Sequence, residues 1–97
     1  MTTTIAPVRR ERSARPGDAS GDAWRVIVLN DDHNTFQGVA FALSSVLPGV
    51  SYELGLQMAD RIHNTGQDIV WSGHRETAEL YWGQLADYGL TLAPLEH

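Results

Sequence analysis

The 97-residue chain contains no cysteine, and all seven of its basic residues are arginine. Without a thiol there is no disulfide framework, no thiolate nucleophile and no cysteine-ligated zinc, so redox chemistry is excluded. No apolar run reaches the ~20 residues that a membrane-spanning helix needs, and the N-terminus lacks the continuous apolar segment of a secretory signal. The chain is therefore expected to be cytoplasmic, with no membrane partner. Basic charge is also scarce where a core can form. Arg9, Arg10, Arg12 and Arg15 lie near the N-terminus, and from Asp22 onward only Arg25, Arg61 and Arg75 face ten acidic residues. An acidic domain disfavours phosphate-backbone binding, so no nucleic acid is expected, and it suits cationic partners.

Residues 1–21 mix Thr, Arg, Ala, Pro, Ser and Gly, with Ile5 and Val8 as isolated larger apolar groups. Such a segment cannot offset the entropy of its own ordering, so a disordered tail is expected, with the folded domain over 22–97. Its arginine-rich composition is also that of a transit peptide, and Arg9-Arg10 that of a twin-arginine signal whose apolar segment is missing. At the other end, Leu95-Glu96-His97 reads equally as native sequence or as the start of an expression tag, and nothing is assigned to it.

The chain from residue 24 onward is patterned. Trp24, Val26 and Val28 alternate with Arg25, Ile27 and Leu29, a strand apolar on both faces and therefore central. The polar run Asn30-Asp31-Asp32-His33-Asn34-Thr35 comes next. Phe36, Val39, Ala40, Leu43, Val46 and Leu47 then recur at helical spacing, capped by Asn34 or Thr35 and stopped by Pro48-Gly49. Ser51 caps a second helix with Glu53 in its first turn, a stripe of Leu54, Met58 and Ile62, and an end near Gly66. Residues 68–72 predict a short strand. A third helix begins near Arg75, with Ala78, Tyr81, Leu85 and Tyr88 on one stripe, and Gly89 ends it. Leu90-Thr91-Leu92 predicts a last strand, with Pro94 confining the residues after it to an edge. The order β-α-α-β-α-β predicts an α+β fold, three helices packed on a small, mostly antiparallel three-stranded sheet.

The polar junction between the first strand and first helix carries more charge than a turn requires. Asn, Asp and Thr there have a structural reading as turn and N-cap residues, and His63 one as a cation at a helix C-terminus. Asn30, Asp32 and Asn34 imitate the first ligands of a calcium loop, but Thr35 stands where its glycine belongs and Phe41 where its bidentate glutamate belongs. Asp31, Asp32 and His63 would suit a divalent metal and a small hydrolase only if folding brought them together.

Together, Leu-Asn-Asp-Asp after a first strand, a second helix ending Ile62-His63-Asn64-Thr65-Gly66, and a third helix carrying Glu76-Thr77-Ala78-Glu79 resemble the ClpS adaptor family over residues 24–96. The resemblance implies a module that is not an enzyme and needs no cofactor or metal. It implies a monomer that binds the first residue of a substrate chain and delivers it to a ClpA- or ClpC-type AAA+ unfoldase. In this resemblance Asn30, Asp31 and His63 meet the α-amino group, while Asp32 and Asn34 meet the following backbone. Phe36, Val39, Ala59, Ile62 and Leu90 line the side-chain pocket, and Glu76 and Glu79 face the unfoldase. A protonated amine has three donors and no acceptor, which suits an amide oxygen, a carboxylate and an imidazole nitrogen beside an apolar hole.

The chain departs from the family at several positions. His33-Asn34-Thr35 replace a small turn residue and a proline, and Phe36 replaces a methionine at the pocket rim. One residue is inserted around 47–51, and Tyr81 stands where some members carry a lysine. The preference implied for the first residue is Leu, Phe, Tyr or Trp, with Ile and Val added by the change at Phe36. Two alternatives remain at this point: the metal-dependent hydrolase, and an acidic interaction domain with no preference for a free N-terminus.

Overall fold

The computed structural model describes residues 23–96; the expected tail over 1–21 lies outside them. The elements are β1 (Trp24–Leu29), α1 (Phe36–Val46), α2 (Tyr52–Thr65), β2 (Gln67–Gly73) and α3 (Arg75–Asp87). Local chemistry sets their ends. The Thr35 hydroxyl caps α1 by accepting from the Gly38 N–H, and Ser51 caps α2 by accepting from Leu54. Each satisfies one of the donors a helix N-terminus leaves free. Gly66 closes α2 at φ 95°, a left-handed conformation open to glycine at little cost, and its N–H bonds the Ile62 carbonyl.

β1 and β2 pair antiparallel. Val26 lies opposite Trp71 and Ile27 opposite Ile69, so Val70 is an extra residue that bulges β2 and turns its side chain into the core. The expected third strand does not form: among the described residues the sheet has two strands. Residues 91–96 instead run along the other edge of β1 through isolated bridges, Val28 with Leu92 and Arg25 with Glu96. Their hydrogen bonds run from Leu29 N to Thr91 O (2.8 Å), Ala93 N to Ile27 O (3.0 Å) and Arg25 N to Glu96 O (2.8 Å). Between the two bridges three steps along β1 face four along the partner segment, a slip of one residue that leaves each bridge a single contact. β1 is still flanked on both sides, as its apolar faces predict, and Val26, Ile27 and Val28 are all buried.

The three helices pack on this sheet around Leu43, Leu85, Val26 and Val28, the largest fully buried side chains. α1 and α2 approach closely at Gly55, where an added Cβ would stand 2.8 Å from the Ala40 carbonyl oxygen. On α3 the expected stripe is only partly inward. Ala78 and Leu85 are buried, but Tyr88 is the C-cap, exposed, with its ring 5.9 Å from that of Phe41. The helix has ended before Tyr88, so helical spacing no longer sets its direction. No helix among the described residues is long and apolar enough to cross a membrane.

Candidate functional site

β1 carries the chain to one end of the sheet, where residues 30–35 turn before α1 begins. Three hydrogen bonds hold this turn to distant parts of the molecule. The Asn30 N–H donates to the Gly66 carbonyl at the end of α2 (2.9 Å). The Asn34 side-chain amide donates to the Gly89 carbonyl beyond α3 (2.9 Å), and the Thr91 hydroxyl donates to Asp31 Oδ2 (2.7 Å). The turn, the last turn of α2 and the segment after α3 are thereby gathered around one depression.

Asp31 is the centre of the turn. Its Oδ1 accepts from the backbone N–H groups of His33 (3.1 Å) and Asn34 (2.9 Å). Its Oδ2 accepts from Asn34 Nδ2 (2.7 Å) as well as from Thr91. A carboxylate offers about four acceptor directions, and all are occupied. The side chain is only 13% exposed. Burial pushes its titration up, but the hydrogen bonds from the Asn34 backbone, Thr91, the Asn34 side chain and the His33 backbone outweigh that effect. They hold the carboxyl well below the usual carboxylate range. Asp31 is therefore a fixed negative charge, held by protein donors.

The depression is a cavity of about 320 Å³. It is lined by all ten residues that the sequence singles out for ligand contact: Asn30, Asp31, Asp32, Asn34, Phe36, Val39, Ala59, Ile62, His63 and Leu90. Val39, Ala59, Ile62 and Leu90 are buried and form an apolar wall. Asn30, Asp32 and His63 are exposed at its polar side. Phe36 stands at the mouth, its ring edge to face with the His63 imidazole at 5.3 Å and 63°. Both side-chain N–H groups of Asn34 are engaged, by Asp31 and Gly89, which leaves its amide oxygen for an incoming donor.

Val28, Leu29, Thr35 and Thr91 also line the cavity, although the sequence pattern gives them no part in the site. Thr91 is the notable omission, because it reaches Asp31 across 60 positions and no local pattern joins the two. Glu76 and Glu79 are exposed on α3 and do not line the cavity; Glu79 accepts a 3.0 Å bond from Arg75. Among the described residues no three His, Cys, Asp or Glu side chains converge as metal ligands. The hydrolase alternative also needs free acceptor directions on Asp31, and these are taken.

Comparisons with known proteins give the family. The family model described as ATP-dependent Clp protease adaptor protein ClpS matches residues 19–93. The chain is similar to the ATP-dependent Clp protease adapter protein ClpS of Nostoc sp., 46% identical over 94 residues, which span 97% of either chain. It is 49% identical to that of Thermosynechococcus vestitus over 93 residues, 96% of either chain. Its fold is similar to that of Agrobacterium tumefaciens ClpS2 bound to L-phenylalaninamide, with a TM-score of 0.71 at 24% identity, covering 78% of this chain and 99% of that one. The chain belongs to the ClpS family, adaptors of the ATP-dependent Clp protease rather than enzymes.

Proposed function

We propose that this adaptor binds the free N-terminal residue of substrate proteins in the cavity between the turn over 30–35 and α2. The observation that carries this reading is the division of one small cavity into an apolar wall (Val39, Ala59, Ile62, Leu90) and a polar side (Asn30, Asp31, His63). An N-terminal residue has the matching halves, a side chain and an ammonium group, a few bonds apart. The ammonium group donates to the Asn30 amide oxygen and to an imidazole nitrogen of His63, in the field of the Asp31 carboxylate. Asp32 and the amide oxygen of Asn34 meet the peptide backbone of the next residues.

The side chain accepted is bulky and hydrophobic, of the Leu, Phe, Tyr and Trp class, with Ile and Val tolerated. A cavity of about 320 Å³ is near the small end of the ~300–1,000 Å³ typical of ligand sites and suits one residue. The L-phenylalaninamide bound by the Agrobacterium protein has a free amine and a bulky side chain, the same two features. Delivery is to a ClpA- or ClpC-type AAA+ unfoldase in the cytoplasm, with the adaptor monomeric and the α3 face bearing Glu76 and Glu79 toward the unfoldase. The test is a titration of short peptides that differ only in their first residue, each with a free and an acetylated N-terminus. Equal affinity for the two forms rejects the reading.

A further inference from the structure

His63 lies in the last turn of α2, exposed, at the polar side of the cavity. Among the described residues no group hydrogen-bonds its ring, and the side chain packed against the imidazole is Phe36, edge to face at 5.3 Å and 63°. A histidine that accepts a hydrogen bond from a ligand usually has its other nitrogen tied by a carbonyl or carboxylate, which sets the ring plane. Here the neighbour that can restrict the imidazole plane is the Phe36 ring. Phe36 is itself well placed for the task. It is the first residue of α1, directly after the Thr35 cap, so the backbone that carries it is fixed by the Thr35 hydroxyl and by the Asp31-centred turn.

We infer that Phe36 is a positioning residue for His63: its ring fixes the plane of the imidazole and so sets the strength with which the cavity holds an α-amino group. This deepens the proposed N-terminus binding and rests on it. The inference differs from a role for Phe36 in pocket shape. A shape role acts through the first residue's side chain and changes the ranking of first residues. A positioning role acts through the amine and changes the preference for a free over an acetylated N-terminus, by the same factor whatever the side chain.

The experiment measures that preference, the ratio of Kd for acetylated to free peptide, with Leu- and Phe-initiated peptides. The proteins are wild type, Phe36→Tyr, Phe36→Leu, His63→Ala and the Phe36→Leu/His63→Ala double variant, each checked by circular dichroism. Phe36→Leu is expected to lower the ratio about threefold to tenfold, the range an aromatic pair is worth, and equally for both peptides. Phe36→Tyr keeps a ring and is expected to retain the ratio. In the His63→Ala background Phe36→Leu is expected to leave the ratio unchanged, since the imidazole it positions is gone. An unaltered ratio in Phe36→Leu, or an equal loss with and without His63, overturns the inference while leaving N-terminus binding intact. A wild type that does not distinguish acetylated from free peptide removes both.

Discussion

The Thr91 hydroxyl donates a 2.7 Å hydrogen bond to Asp31 Oδ2, which joins the segment after α3 to the turn that succeeds β1. The bond completes the set of donors that keeps Asp31 ionised while nearly buried. Exchange of Asp31 for Asn turns one acceptor into a donor that faces donors, and exchange of Thr91 for Val removes one of the four. Hydrogen bonds to a charged group are worth about 1.5–3 kcal/mol, so Asp31→Asn is expected to lose at least that much stability and Thr91→Val less. Because the folded-state carboxyl titrates below its unfolded value, the stability it contributes is fully present above the ordinary carboxylate value near ~4. It is lost as pH falls from there through the folded value. Urea titrations should show a constant difference between wild type and Asp31→Asn from pH 7 to 5 and a narrowing one below pH ~4. A difference that grows on acidification would reverse the sign of this linkage.

His63 and Asn30 are exposed and contribute little to the core. Their replacement by Ala is expected to alter stability by no more than about 0.5 kcal/mol while weakening peptide binding. Affinity should also decline as pH rises past ~8, where a peptide α-amino group loses its proton. Thermal melts beside fluorescence-anisotropy titrations separate the two effects; a variant that unfolds would assign its residue to the scaffold.

Phe36, which by resemblance to the ClpS family stands in place of a methionine, is bulkier and stiffer than that residue. Its ring stands at the cavity mouth against His63, where a stiff aromatic edge disfavours a large first side chain such as Trp more than a flexible thioether does. Aliphatic first residues are therefore expected to be favoured, with Leu bound and Ile and Val better tolerated than in a Phe36→Met variant. A difference of one methylene is worth ~1–3 kcal/mol in such a pocket, so a ranking is expected and not an exclusion. Dissociation constants for Leu-, Ile-, Val-, Phe- and Trp-initiated peptides on both proteins measure this, and an unchanged ranking counts against it.

Gly55 has no room for a side chain, since its Cβ would lie 2.8 Å from a backbone oxygen and 2.9 Å from Cα of Ala40. Gly55→Ala should gain helix propensity and still destabilise, by about 1–3 kcal/mol, because α1 and α2 must separate. The denaturation midpoint reports the sign.

Every residue that lines the cavity falls between Val28 and Thr91. Removal of residues 1–20 is therefore expected to leave peptide affinity nearly unchanged and, because a segment expected to be disordered can engage a motor at no cost to the fold, to impair delivery to the protease. Lost peptide binding in that variant would mean that the domain begins earlier than residue 22.

The features most legible in the sequence are those decided within a few residues. Thr35, Ser51 and Gly66 mark helix ends through bonds to neighbours three or four positions away, and the buried run Val26 to Val28 marks a strand flanked on both sides. The third strand was not legible, because a strand exists only through its partner, and the pairing of residues 91–96 with β1 slips by one residue between Leu92 and Glu96. Tyr88 keeps the helical spacing of α3 on paper, but lies beyond the last turn that enforces it. Residues of the candidate site were legible through the family resemblance. That Asp31 is saturated by four donors was not, since Thr91 comes beside it only in three dimensions.

The bond from the Asn30 N–H to the Gly66 carbonyl links the main chain beside Asn30 to the main chain three residues past His63. The separation of the two exposed positions is thus set by the backbone, whereas the donors and acceptors offered there are set by the side chains alone. The two can be altered independently. Exchange of Asn30 or His63 for another polar residue, with Gly66 retained, is thus expected to change the groups presented without changing the distance between the two positions.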